Sequence, residues 1–290
     1  MSDLIECIKA PEQKRTECVV AMSVYRGDNP DWVKEAIDSI KLQSFSDFIL
    51  LIVIDGPISE KLQGAVFNAV EADTRIGIFK SEVNRGLSAA MNFAVDWSKS
   101  VNPRLFFRMD ADDISHSHRI QTQYDFMMKH NGVHVLGSSL FEIDETGRQV
   151  GKRVLPKSHE KIRKMIFTRC PLNHPTVCIR YDVFNSGIRY SENLMNTQDY
   201  FLWITLMKAN YKFANLRKPL LSFRRVNNFY KRRGVSKSIN EFRARRAAMR
   251  ELQKYRLRYF VYALSVLFIR MLPSPLVRLA YSIDRLILRH

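Results

Sequence analysis

Three carboxylates within four residues, Asp110, Asp112 and Asp113, close the apolar run 105–109 and open a polar stretch that reaches Arg119. Ionised groups crowded at the end of a buried strand repel one another, and a bound cation or an upward pKa shift relieves the repulsion. Oxygen ligands suit hard ions, so the chemistry on offer is Mg²⁺ or Mn²⁺ shared between carboxylates and a substrate's phosphates. On a continuing strand, residues 110 and 112 would share one face. The plainer alternative is a solvated acidic turn that caps the next helix, and the buried-looking strand before it argues against that. An EF-hand is excluded, because neither the glycine nor the twelfth-position Glu follows at the required spacing.

The elements around this cluster read as an α/β pattern. Residues 18–25 form a short β-rich apolar run, Asn29-Pro30 caps a helix with the stripe Trp32, Val33, Ala36, Ile37 and Ile40, and 48–54 is a second apolar strand. Asp55-Gly56-Pro57 ends that strand. A shorter strand at 75–81, a loop at 82–87 and a helix at 88–97 lead to the strand before Asp110. Alternating strands and helices imply a mostly parallel sheet, whose functional residues gather at the strand C-terminal ends. Ser23, Tyr25, Asp55 and Asp110 all fall there. No Walker A loop and no G-x-G-x-x-G follows the first strand, so a glycine cradle for phosphate is not expected.

Composition narrows the class. With 290 residues and 46% hydrophobic content, the chain can bury a large core. Cys7, Cys18, Cys170 and Cys178 stand far apart without a C-x-x-C pair, which indicates neither zinc nor a disulfide framework and fits a reducing compartment. Residues 1–15 lack the apolar core of a secretory signal, so the expected location is cytoplasmic. The net charge of +17 is unevenly placed: residues 1–210 hold 26 basic and 26 acidic side chains, and residues 211–290 hold 20 and 3. A neutral body with a basic tail points the tail at an anionic surface, either acidic lipid or nucleic acid.

Further along, a helix at 117–129, a strand at 133–141 and a turn at 144–147 are expected, followed by a polar surface connection over 151–164. Cys170-Pro-Leu-Asn-His-Pro-Thr-Val177 then precedes Asn196-Thr-Gln-Asp199, which reads as a helix start capped by Asn196 or Thr197. Asp199 lies in the first turn, where the helix dipole favours its ionised form.

Seven segments in order resemble family 2 glycosyltransferases of the GT-A fold, the group that includes bacterial polysaccharide and O-antigen enzymes. They are Met-Ser-Val-Tyr-Arg-Gly (22–27), Glu-Ala-Ile-Asp-Ser-Ile-x-x-Gln-Ser-Phe (35–45), Ile-Val-Ile-Asp-Gly (52–56), Asn-Arg-Gly-Leu-Ser-Ala-Ala-Met-Asn (84–92), Arg-Met-Asp-Ala-Asp-Asp-Ile-Ser (108–115), Asn-His-Pro-Thr-Val (173–177) and Gln-Asp-Tyr-Phe-Leu-Trp (198–203). The resemblance implies that Ser23, Tyr25, Asp55, Asn84, Gly86 and Asp110 bind the sugar nucleotide, and that Asp110 and Asp112 hold Mn²⁺ or Mg²⁺ with Asp113 in support. It implies that Asp199 is the catalytic base of an inverting transfer from a UDP-sugar, and that His174 meets the acceptor or the diphosphate. Two positions depart from the family pattern. Ile54 stands where Asp is common, and Met91 where Arg is common.

These readings divide the chain into a GT-A domain, 1–222, and a basic helical extension, 223–290. In the extension, Lys231-Arg-Arg233 precede a helix at 238–255, and the apolar run 259–272 is too short to span a bilayer, which takes about 20 residues. Over 276–288, apolar positions oppose Arg278, Arg285 and Arg289, the pattern of a helix lying in the headgroup region. The expected partners are a nucleotide-sugar donor, a saccharide acceptor, polyprenyl-diphosphate-linked in the fullest form of this reading, and the inner face of the cytoplasmic membrane. Nucleic-acid binding by the tail is the competing class. It leaves the acidic cluster and Asp199 unexplained, and the tail's aromatic residues form an apolar block instead of interleaving with basic ones.

Overall fold

Continuous apolar runs of strand length are buried on both faces here, as parallel strands covered by helices must be. The computed structural model describes residues 5–194, 196–226 and 235–271. It opens with an edge strand, β1 (Ile5–Lys9), which the sequence pattern did not announce. β2 (Cys18–Val24), α1 (Pro30–Lys41), β3 (Phe48–Asp55), α2 (Glu60–Val70), β4 (Ile76–Ser81), α3 (Leu87–Ser98) and β5 (Leu105–Asp110) follow, all as expected except α2, a helix that the sequence reading did not name. Asn29 caps α1 with its side chain, which accepts from the Asp31 amide at 2.9 Å, and Pro30 takes the first turn where no donor is needed.

The second half mixes directions. It contains β6 (Ile114–Ser115), α4 (Arg119–Lys129), β7 (Val135–Ile143), β8 (Gln149–Arg153), α5 (His159–Met165), β9 (Cys178–Arg180), α6 (Gln198–Lys208) and β10 (Phe213–Arg224), then α7 (Val235–Glu251) and α8 (Leu257–Met271). The stretch expected to be a polar connection, 151–164, instead contributes part of β8 and most of α5. Strand β8 pairs antiparallel with β7, and Ile162 of α5 is fully buried. The expected segments at 231–233 and 276–288 lie outside the described residues. Among the described residues, no helix is long and apolar enough to cross a membrane.

The ten strands of the described residues join one sheet, in the order β1-β4-β3-β2-β5-β9-β7-β10-β6, with β8 added to β7. Alternation along β2 divides the core. Val19 and Ala21 pack on the side of α3 and α6, whereas Cys18, Val20, Met22 and Val24 pack on the side of α1, α2 and α4. The basic C-terminal part is joined to this body. β10 runs past residue 222 to Arg224, and Ala244, Ala248 and Met249 of α7 belong to the same buried cluster as Trp203 of α6.

Candidate active site

Strand order reverses between β2 and β5: β3 and β4 lie on one side of β2, and the chain returns on the other. Such a switch leaves a crevice beyond the carboxyl ends of the two strands. Ser23 stands directly opposite Asp110 in the β2–β5 register, so the expected nucleotide residues and the acidic cluster meet at this crevice.

The cluster is a turn rather than a continued strand. β5 ends at Asp110, so the shared strand face expected for residues 110 and 112 is not what brings them together. The chain folds back through 111–113 into β6, and ligand oxygens of Asp110, Asp112 and Asp113 all lie within 4.8 Å of one another. Burial first, and the neighbouring Asp110 second, push the Asp112 carboxyl up to about 6. Burial, with Asp110 and Asp112 beside it, holds Asp113 well above the usual carboxylate range. Asp113 is 0% exposed; its Oδ1 accepts from the Arg224 amide at 2.9 Å, and its Oδ2 has no hydrogen-bond partner among the described residues. Close-set, incompletely satisfied carboxylate oxygens are the donor set of a hard divalent ion, and the residues fit one.

Two arginines frame this turn, and neither was singled out by spacing. Arg108 precedes Asp110 by two residues on the same strand face, is 3% exposed, and pairs through Nη1 with Asp110 Oδ1. Arg224, at the end of β10, reaches Glu35 Oε2 of α1 at 2.5 Å. Its Nε donates to the Asp112 carbonyl at 3.0 Å, and its guanidinium lies over the Trp32 ring at 5.0 Å. Asp28 also went unnoticed. Its Oδ2 accepts from the Tyr25 amide at 2.9 Å; burial first, and then the charges of Asp112 and Asp110 against one backbone bond, push its carboxyl up to about 7. Tyr25 itself is 39% exposed, an aromatic face open beside the crevice.

Asp55, Asn84 and Gly86 are brought together, and largely onto one another. Asp55 Oδ1 accepts from the Arg85 amide at 2.7 Å and Oδ2 from the Gly86 amide at 2.8 Å. Asn84 Nδ2 returns a bond to the Asp55 carbonyl at 3.0 Å. A side chain at Gly56, whose φ is +87°, would stand 2.6 Å from the Asn84 nitrogen, so only glycine permits this approach.

Helix α6 follows Thr197, its N-cap residue with φ 67°, and has no side-chain cap, so neither Asn196 nor Thr197 performs the expected capping bond. Asp199 lies in the first turn as expected, and the Cys170 thiol donates to its Oδ2 at 3.4 Å. His174 Nε2 meets the Tyr190 hydroxyl at 3.0 Å; burial, and then Arg108, hold this imidazole well below its ordinary pKa. Burial pushes the Tyr190 phenol up, Arg108 opposes the shift, and Asp199 and Asp110 reinforce it. Tyr190 therefore lies in the fields of both the acidic turn and the α6 carboxylate. Its backbone is fixed by Asn92, which donates to the Tyr190 carbonyl at 2.9 Å and accepts from its amide at 2.8 Å.

An open, mostly parallel sheet, with an acidic turn at its switch point and a carboxylate in the first turn of a later helix, defines a GT-A glycosyltransferase. Residues 19–187 match the model of Glycosyl transferase family 2, and the chain belongs to that family. It is 33% identical over 208 residues to the O-antigen biosynthesis glycosyltransferase WbnJ of Escherichia coli, covering 71% of this chain and 78% of that one. It is 29% identical over 265 residues to an Escherichia coli UDP-Gal:alpha-D-GlcNAc-diphosphoundecaprenol beta-1,3-galactosyltransferase, covering 88% and 91%. The mannosyltransferase PcManGT of Pyrobaculum calidifontis, solved with GDP-Man and Mn²⁺, shares the fold at TM-score 0.56 and 11% identity, over 96% of this chain and 81% of that one.

Proposed function

We propose that this glycosyltransferase moves a hexosyl unit from a UDP-sugar to a lipid-linked saccharide with inversion at the anomeric carbon. The observation that carries the reading is the acidic turn at the switch point between β2 and β5, where ligand oxygens of Asp110, Asp112 and Asp113 lie within 4.8 Å of one another beside Ser23. In this reading the donor lies over the ends of β2 and β5, with its base against Tyr25 and its ribose near Ser23 and Asp110. Asp55, Asn84 and Gly86 serve it by fixing the loop that forms the crevice wall. Asp110 and Asp112 would hold Mn²⁺ or Mg²⁺, which when bound supplies positive charge against the departing diphosphate. The Mn²⁺ of PcManGT supports that choice.

Asp199 takes the proton from the acceptor hydroxyl as its oxygen attacks opposite the leaving group. The Cys170 thiol, donating to Oδ2, helps to orient that carboxylate. His174 and Tyr190 line the floor between base and donor, and the neutral imidazole adds no charge there. The polyprenyl-diphosphate acceptor is supported by the galactosyltransferase relative and by the basic C-terminal residues, which would keep the enzyme on the inner face of the cytoplasmic membrane.

A panel of UDP-sugars, tested with and without Mn²⁺ for protection against thermal unfolding, examines the donor without needing an acceptor. One UDP-sugar should raise the midpoint only when Mn²⁺ is present. Equal protection with EDTA, or none from any member, overturns the donor assignment.

A further inference from the structure

The sugar-nucleotide crevice does not use the groove on the far side of α6. Phe201 of α6, the exposed face of α7 and the first turn of α8 enclose a half-open volume of about 700 Å³. Four arginines line it, Arg243, Arg246, Arg250 and Arg256. Arg250 pairs with Glu251 at 2.8 Å; among the described residues no acidic partner is seen for the other three. Like charges gathered without counter-charge are unfavourable in the free protein and favour a polyanion.

An apolar track begins at the same place. Leu257, Phe260, Val261 and Phe268 of α8 are 79%, 41%, 51% and 66% exposed, and their spacing puts them on one side of the helix. Tyr259 and Ala263, on the opposite side, are buried. The helix thus packs one apolar face on the body and turns a second outward. Exposed apolar surface continuous with a cluster of guanidinium groups is complementary to a molecule with a multiply charged head and a long hydrocarbon chain.

We infer that this groove is the docking site for the lipid part of the acceptor: an isoprenyl diphosphate whose phosphates lie on Arg243, Arg246 and Arg256 and whose chain follows the outer face of α8. The inference rests on the acceptor class proposed above and adds the place where the protein holds it. Phe201 lies two residues beyond Asp199 on α6, so groove and base occupy opposite sides of one helix, about 10 Å across. A saccharide extending from a diphosphate held there needs only to pass the N-terminal end of α6 to reach Asp199. Arginine suits the task, since its planar fork pairs bidentately with phosphate oxygens.

The test uses the full-length chain in EDTA, so that no cation at Asp110 and Asp112 draws diphosphate into the donor crevice. Farnesyl diphosphate is titrated by calorimetry, with farnesol and phosphatidylglycerol vesicles as separate arms. Farnesyl diphosphate should bind at least tenfold more tightly than farnesol, and Arg243→Gln with Arg246→Gln should weaken it at least tenfold. Phe260→Ser, which leaves every charge in place, should weaken it at least fivefold and carries the test if the glutamine pair fails to fold. Unchanged binding in the glutamine pair or in Phe260→Ser overturns the inference. So does farnesol binding as tightly as the diphosphate, or vesicle binding without any binding of farnesyl diphosphate. Failure of the donor reading is separate, because it shows as absent UDP binding in Mn²⁺ while the farnesyl diphosphate titration stays intact.

Discussion

The tips of β3 and β5 each end in a carboxylate, and the two behave in opposite ways. At β3, both oxygens of Asp55 are taken by amides of the protein's own loop, at 2.7 and 2.8 Å. At β5, Asp112 and Asp113 crowd beside Asp110 with carboxyls pushed up by burial first and by the Asp110 charge second, and Asp113 Oδ2 is left without a hydrogen-bond partner among the described residues. A carboxylate saturated by backbone donors builds the wall of a site. Carboxylates that repel one another with oxygens to spare are kept for a ligand, and the fold bears the cost of holding them.

The same substitution at the two tips should therefore have opposite effects on stability. Asp112→Asn is expected to cut turnover about 10³-fold, the several kcal/mol that charge neutralisation at a leaving group supplies. It should also raise the unfolding midpoint of the metal-free protein at pH 8, because one repelling charge is gone. A lowered midpoint would break the comparison. Asp199→Asn should lower turnover about 10²- to 10³-fold, as removal of a general base does, while leaving UDP affinity in Mn²⁺ unchanged; retained turnover removes Asp199 from its role. Asp55→Asn turns an amide NH₂ toward a backbone N–H and should destabilise the fold by about 2 kcal/mol, measured by urea unfolding.

The smallest expected effect is on pH. Protons bound to Asp112, whose carboxyl is held at about 6, and to Asp28, at about 7, favour the folded chain over an unfolded one that titrates near 4. That stability is fully present below about pH 4 and is lost as pH rises through 6 to 7. The metal-free midpoint should fall by a few degrees between pH 5 and pH 8, and Mn²⁺ should restore more of it at pH 8. A flat profile would mean that the acidic turn is not strained.

Much of the scaffold could be read from residue patterns. The runs at β2, β3 and β5 are apolar on both faces and bounded by turn residues, and Asp110, Asp112 and Asp199 stood out because carboxylates after such a strand or at a helix start need a reason. β1 was missed because its middle residues are exposed and mixed in character; it is an edge, held by pairing with β4 and by Lys9 on the Val70 and Asp73 carbonyls. β8 and α5 were read as loop for the same cause, being polar elements laid against the body. Asn92 and Tyr190 are 98 residues apart, and Arg224 and Glu35 are 189 apart. No local spacing marks such pairs, since the sheet alone brings them together.

Arg224 has a consequence for how the enzyme comes into being. The turn that carries Asp112 and Asp113 is fastened by an amide and a guanidinium translated 111 and 112 positions later. Domains take shape from the N-terminus as the ribosome proceeds, so a nascent polypeptide can assemble β2 to β5 and still lack the fastening for its acidic turn. Only when residue 224 has left the exit tunnel can those two bonds form, which makes the fastening of the acidic turn a late event in the chain's synthesis.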